Sequence, residues 1–194
     1  VLAGIFASFV LFSMACKNPG INDTQGNNQK VDDDSGGGEQ LPPEKSEFEK
    51  LQTGLPTVYF SVASGNRLKD TKTWEKAYLK ILDADGTEIF AETEISAKGR
   101  GNSSWEMEKQ CFSLKLGEKV KLLDMKKNKR WVLVANHSDK SLLRNDYASY
   151  LGTEIFNSEW NPSFKSVNLF YNGEYWGTYL FGEQIKINSN RVDI

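Results

Sequence analysis

The sequence predicts an α+β domain, mainly antiparallel strands with at least one packed helix, behind a flexible N-terminal tether. Three observations predict it. From Leu55 onward, short apolar runs of strand character are separated by Gly, Pro, Asn and Asp turn signals. One segment, Asp139–Leu151, has helical rather than alternating spacing. Before that boundary, apolar residues nearly vanish from Lys17 to Gly54. Of the 194 residues 39% are apolar, with 11 Phe, 7 Tyr and 5 Trp, which suffices for one real core.

Val1–Ala15 is uncharged and apolar, ends in small residues and precedes Cys16. It suits the hydrophobic core of a secretory signal and is too short to span a bilayer comfortably. Residues 1–15 are therefore expected to be a signal peptide remnant. Ser13-Met14-Ala15-Cys16 resembles a bacterial lipobox, which implies lipidation of Cys16 and a membrane-anchored, extracytoplasmic lipoprotein of the cell envelope. The alternative is a plain cleaved signal followed by a chance cysteine. Residues 16–54, with Asp32-Asp33-Asp34, Gly36-Gly37-Gly38 and Pro42-Pro43, cannot bury enough surface to offset their ordering entropy and read as a tether.

The expected folded domain is 55–194. Val58–Val62 follows Pro56 as a strand. Ala77–Leu82 is a second, and Asp83-Ala84-Asp85-Gly86 turns it into Glu88–Phe90. Glu94–Lys98 and Cys111–Leu116 alternate; in the latter Phe112, Leu114 and Leu116 share one face. Trp131–Ala135 is almost wholly apolar, as a central strand is. Ser138 or Asp139 can cap the helix, and Leu142, Leu143, Tyr147, Tyr150 and Leu151 form its apolar stripe before Gly152. Ser166–Tyr171 and Glu174–Phe181 flank Asn172-Gly173, a hairpin turn whose residues tolerate positive φ.

Charge nearly cancels, 24 Lys and Arg against 26 Asp and Glu, which argues against a strongly basic nucleic-acid module. The stretch Lys115–Arg130 nevertheless holds seven basic and two acidic residues. It would attract phosphate or an acidic substrate face, or be a solvated basic loop; it has no interleaved aromatics, so nucleic acid is not an expected partner. Two cysteines cannot build a disulfide scaffold, and one His leaves no His-rich metal site.

Three separated segments carry further information. They are Lys98–Trp105 (KGRGNSSW), then Asn128–Asn136 leading to Asp139–Asn145 (DKSLLRN), and Asn172–Tyr179 running on to Glu183-Gln184-Ile185-Lys186 and Asn190-Arg191-Val192. In this order and spacing they resemble the CotH family, spore coat protein H-like atypical secreted kinases, over about Leu55–Ile194. The resemblance implies a protein-kinase-like fold, ATP with Mg²⁺ or Mn²⁺ as cofactors, and transfer of phosphate to Ser or Thr of a protein substrate.

Each motif has a physical reading beside that implication. Gly99 and Gly101 would let backbone approach a phosphate at Asn102 and Ser103, with Arg100 adding a charge-assisted donor; Ser104 stands where a kinase glycine loop has a third Gly. The alternative is a tight turn with Arg100 tied to a carboxylate. A kinase lysine reaches the phosphates. Lys109 matches the family's Lys-Lys-Pro-Tyr-type stretch, here Lys109-Gln110-Cys111-Phe112, and Lys115 on the following strand is the second candidate. An ordinary snorkelling lysine competes at both positions. Glu183 reads as an ion-pair partner or nucleotide neighbour, or as an edge glutamate facing water. Arg144 and Asn145 read as braces, with contact to the site as the alternative, and Cys111 as a small buried residue.

The implied nucleotide-binding set is thus Arg100, Asn102, Ser103, Lys109, Lys115 and Glu183. The catalytic and metal-binding carboxylates are expected beyond Ile194, which would make 55–194 an incomplete kinase domain whose full-length parent carries the activity. The competing function is a non-catalytic surface lipoprotein: a pseudokinase, or a glycan- or protein-binding module using Trp74, Trp105, Trp160 or Trp176. A structural coat component is the third.

Overall fold

The computed structural model describes residues 53–193. The signal-like run, Cys16 and the tether up to Gln52 lie outside the described residues. Alternating patterns become seven strands: β1 (Thr57–Val62), β2 (Glu75–Leu82), β3 (Glu88–Arg100), β4 (Cys111–Val120), β5 (Asn128–Val134), β6 (Phe164–Tyr171) and β7 (Glu174–Glu183). The single α-helix among the described residues, α1, covers Arg144–Tyr150 and continues as a π-helical turn, Leu151–Ile155.

Local chemistry fixes the hairpins. In the β2–β3 turn Gly86 has φ +90°, and the Asp83 amide donates to the Thr87 carbonyl at 2.7 Å. At Asn172-Gly173 both residues have positive φ, 50° and 84°, the backbone of a primed turn whose twist matches its strands. The Asn172 side chain then accepts from the Val62 amide at 2.8 Å, tying this hairpin to the end of β1.

The strands pair in the order β1-β2-β3-β4-β5-β7-β6, and β6 returns to β1 to close a barrel. Every pairing is antiparallel except β1–β6, which aligns Thr57 with Asn168 and Phe60 with Tyr171. Closure satisfies the ladder all round and leaves no edge strand exposed to pairing with another chain.

Alternation assigns one side of each strand to the interior. Phe60, Leu79, Ala97, Phe112, Leu114, Trp131, Leu133, Val167, Leu169, Tyr179 and Phe181 are buried there. Phe112 stands at the centre, with ring centroids of Tyr171, Phe60 and Tyr179 at 4.9, 5.3 and 6.3 Å. Each such side chain contributes about 1.5–3 kcal/mol by leaving water, so the barrel needs no helix layer to acquire a core.

That corrects the expected architecture. The described part is a closed seven-stranded barrel with one short helix, not a protein-kinase-like α+β fold of strands packed under a helix. One pairing and one failed helix account for the difference. Parallel pairing of β1 with β6 turns an open sheet into a barrel. The helix begins five residues later than Asp139 because that carboxylate organises a preceding turn. Its Oδ1 accepts from the Ser141 amide and hydroxyl at 3.1 and 2.7 Å, and its Oδ2 from the Arg144 amide at 2.9 Å. Leu142 consequently has φ +59°. The expected stripe does not pack either: Leu143, Tyr147 and Tyr150 are more than half exposed, and α1 holds no buried residue. Asn145 does brace the helix start, donating to Asn136 Oδ1 at 2.7 Å.

Candidate functional site

The outward sides of β3, β4 and β5 carry positive charge. On β3, Ile95 and Ala97 point inward, so Lys98 and Arg100 share the outer face. On β4 the inward residues are Phe112, Leu114 and Leu116, leaving Ser113 and Lys115 outside; on β5, Trp131 and Leu133 are inside and Arg130 outside. The register aligns Ser96, Lys115 and Arg130 in one row and Lys98, Ser113 and Val132 in the next. Lys115 and Arg130 are therefore direct cross-strand neighbours of like charge, an arrangement that destabilises a sheet. Among the described residues, none of Lys98, Arg100, Lys115 and Arg130 has a carboxylate within ion-pair distance.

Trp74 lies among these charges. The Arg130 guanidinium is 4.6 Å from its ring centroid and the Lys98 ammonium 5.2 Å. Arg130 thus reaches back over β4, and Ser113 beneath is only 5% exposed although it points outward. The loop before β2 holds the ring in place. The Asp70 carboxylate accepts from the Lys72 and Thr73 amides, both at 2.6 Å, and from the Thr73 hydroxyl at 3.0 Å. The Asp70 carbonyl accepts from the Gly99 amide at 2.9 Å, joining that loop to β3. These donors hold the Asp70 carboxyl below its ordinary range, the Thr73 amide first.

The glycine turn closes this face at one end of the barrel. A Cβ on Gly99 would meet the Trp105 ring at 2.6 Å, and one on Gly101, φ +110°, would meet Ser104 Oγ at 2.0 Å. The glycines are thus filled by the chain's own Trp105 and Ser104, leaving no cradle for a phosphate between them. Asn102 and Ser103 remain exposed at the rim, and Arg100 emerges beside them without a carboxylate. The cations without a carboxylate partner lie on the outer face of β3–β5, outside the turn's glycines.

Of the six residues expected at a nucleotide, the structure brings Arg100, Asn102, Ser103 and Lys115 to one side of the barrel. Lys109 stands apart, at the mouth between β4 and β7. Its ammonium donates to the Thr178 carbonyl and lies 4.5 Å over the Tyr179 ring. Glu183 ends β7 at the opposite end and is buried, not water-facing. Its Oε2 accepts from the Ser163 amide at 3.1 Å and its Oε1 pairs with Arg191, itself 5.3 Å over Trp131. Burial pushes the Glu183 carboxyl up, opposed by the Ser163 amide and Arg191. Sequence reasoning placed Arg130 only within a basic stretch that would attract phosphate, and Lys98 in no ligand contact, because only cross-strand register brings them beside Lys115. Trp74 had been singled out, but as a sugar-stacking candidate.

Among the described residues no group of three His, Cys, Asp or Glu side chains converges as a metal site would. No curated protein matches the chain. The sequence model of the CotH kinase protein family matches residues 97–194, half of the chain, from the last residues of β3 onward. The cationic strands β4 and β5, the glycine turn, α1 and the Glu183–Arg191 pair all fall within that match, and the chain belongs to the CotH kinase protein family.

Proposed function

We propose that this chain is the nucleotide-handling part of an extracytoplasmic, lipid-anchored CotH-type protein kinase. ATP lies against the outer face of β3–β5, its phosphates spread over Arg100, Lys98, Lys115 and Arg130. The observation that carries this reading is four cations on adjacent strands, none with a carboxylate partner among the described residues, inside a family-matched segment. Mutual repulsion makes that arrangement costly to the folded protein, and a polyanion relieves it. Arg100 and Arg130 offer planar forks to phosphate oxygens, whereas Lys98 and Lys115 act as point charges. Trp74 gives the face one apolar wall.

In the proposed reaction a substrate Ser or Thr hydroxyl oxygen forms a bond to the γ-phosphorus, the bond to the β–γ bridging oxygen breaks, and ADP leaves. The chain's cations lower the cost of bringing the charged phosphates together and orient the γ-phosphoryl group. A divalent ion, when bound, would neutralise phosphate charge, and the hydroxyl proton passes to a general base or to solvent; among the described residues no group of three His, Cys, Asp or Glu side chains converges to hold the ion.

Incubation of the full-length gene product with γ-labelled ATP, Mg²⁺ or Mn²⁺ and a Ser-rich protein tests the activity. Label transfer to the protein substrate supports it. Nucleotide binding without transfer identifies a pseudokinase, and indifference to nucleotide with tight self-assembly identifies a coat component. Mass spectrometry of the mature N-terminus tests the anchor: an unmodified Cys16 removes it.

A further inference from the structure

The mouth of the barrel, separate from the cationic outer face, has a cleft of about 450 Å³ whose walls come from four connections. The β1–β2 loop supplies Arg67, the segment before β4 supplies Glu108 and Lys109, the segment after β5 supplies His137, and β7 supplies Tyr175 and Trp176. Two features of this cleft have no structural explanation within the barrel.

The first is Lys109. Its ammonium is half-buried against the Thr178 carbonyl and the Tyr179 ring, with no carboxylate within ion-pair distance among the described residues. Burial accordingly pushes its pKa down. A lysine serving only as packing would snorkel its charge to water. Gly177, with φ +85°, lies beside it: a Cβ there would be in ordinary contact, 3.9 Å from the Lys109 nitrogen.

The second is the bulge that aims Trp176. Register between β6 and β7 slips between Leu169, opposite Gly177, and Phe170, opposite Tyr175, leaving Trp176 as the extra residue. The bulge turns its indole over the barrel end, edge-on to Tyr171 at 4.9 Å, and the Arg67 guanidinium lies 4.6 Å over its ring. Bulges of this kind recur beside binding sites, where they re-aim one side chain. Among the described residues Arg67 has one ion pair, to Glu174 at 3.9 Å, which is long and open to solvent, so water screens it. Glu108, the remaining carboxylate of the wall, pairs with neither cation.

We propose that this mouth is an oxyanion pocket, with Lys109 and Arg67 as its charged arms, that takes the carboxylate or phosphoryl group of an acidic peptide side chain. Lys109 supplies a fixed, desolvated charge at the floor. Arg67, over the Trp176 ring, supplies a fork at the rim. His137 adds a ring nitrogen to the wall. An arriving anion would replace the counter-charge that Lys109 lacks, in a setting drier than the outer face. The pocket is independent of the nucleotide reading, because it shares no residue with the face around Trp74.

Fluorescence anisotropy of short labelled peptides with the full chain tests the pocket. Three peptides differ at one position: phosphoserine, glutamate or serine. Binding of the charged peptides at least about tenfold tighter than the serine peptide is expected, since a charge-assisted hydrogen bond in a half-buried site is worth about that factor. The ratio of phosphoserine to glutamate affinity then tells which oxyanion the pocket prefers. Lys109→Met, which keeps the apolar stem, should abolish the discrimination, while Lys115→Gln on the outer face should leave it intact. A thermal melt of Lys109→Met confirms folding; if that variant unfolds, Arg67→Met at the exposed rim carries the same test. Equal binding of all three peptides, no binding of any, or full discrimination by both Lys109→Met and Arg67→Met overturns the pocket.

Discussion

Lys115→Gln should make this protein more stable and a poorer nucleotide binder at once. Lys115 is exposed, directly opposite Arg130 and diagonal to Lys98. Cross-strand Cβ atoms are about 5 Å apart, and side chains splaying outward put the charges about 7 Å apart. In water two unit charges at that distance repel by about 0.6 kcal/mol, and the diagonal neighbour brings the total relief to about 1 kcal/mol at low salt. For a domain of this size that is a rise of about 3 °C in Tm. In 1 M salt the Debye length falls to about 3 Å and the gain should vanish. Lys115→Glu, which turns repulsion into attraction, should gain about twice as much at low salt. Melts followed by near-ultraviolet circular dichroism at both salt concentrations measure this. The predicted order of stability is Glu, then Gln, then Lys, with nucleotide affinity in the reverse order, a trade expected where a site is kept at the expense of stability. A loss of stability that is the same at low and high salt would refute the reasoning, because it would make Lys115 a packing residue.

Phe112→Ala should cost about 3–5 kcal/mol in urea unfolding, because the ring is fully buried at the centre of the aromatic cluster and the cavity cannot collapse around a closed barrel. Glu183→Ala leaves Arg191 buried without its counter-charge and should cost about 3–5 kcal/mol, whereas replacing both residues by Leu and Met should be close to neutral; a double variant as unstable as the single one contradicts the ion-pair account. Asp70 has a folded-state pKa below its ordinary 3.8, so it binds protons less readily folded than unfolded. Its stabilisation is present above that ordinary value and is lost as pH falls through the depressed folded value, and Asp70→Ala should flatten the acid limb of a pH–stability profile. Gly101→Ala should destabilise by more than about 1 kcal/mol, since φ +110° and the Ser104 hydroxyl both exclude a Cβ; unchanged unfolding there would show that the turn rearranges freely.

The local elements were largely written in the sequence. Phe112, Leu114 and Leu116 alternate, Asn172-Gly173 turns, and Asp83–Gly86 joins β2 to β3, because each depends on residues a few positions apart. Closure was not legible, since pairing Thr57 with Asn168 depends on contacts more than a hundred residues apart. Helical spacing in Asp139–Leu151 misled for a related reason. A carboxylate and a hydroxyl at Asp139 and Ser141 offered the backbone a competing turn, and among the described residues no layer covers Leu143, Tyr147 and Tyr150 to reward a longer helix.

The site divides in the same way. Arg100, Asn102 and Ser103 lie in one continuous motif and were found together. Lys115 was named without the neighbours that give it meaning, because Lys98 and Arg130 join it only through the register of three strands. Lys109 and Glu183 were grouped with them by motif, and the barrel sets them apart, one at the mouth and the other in a buried pair at the far end.

Equilibrium dialysis of labelled ATP against the full chain, and against a Lys115→Glu, Arg130→Glu double variant, tests the central claim most directly. The cationic face predicts saturable binding to the parent chain that weakens at least about tenfold in the double variant and falls steeply with salt, while Lys109→Met binds as the parent does. Absence of saturable binding, or equal binding by the double variant, would contradict it.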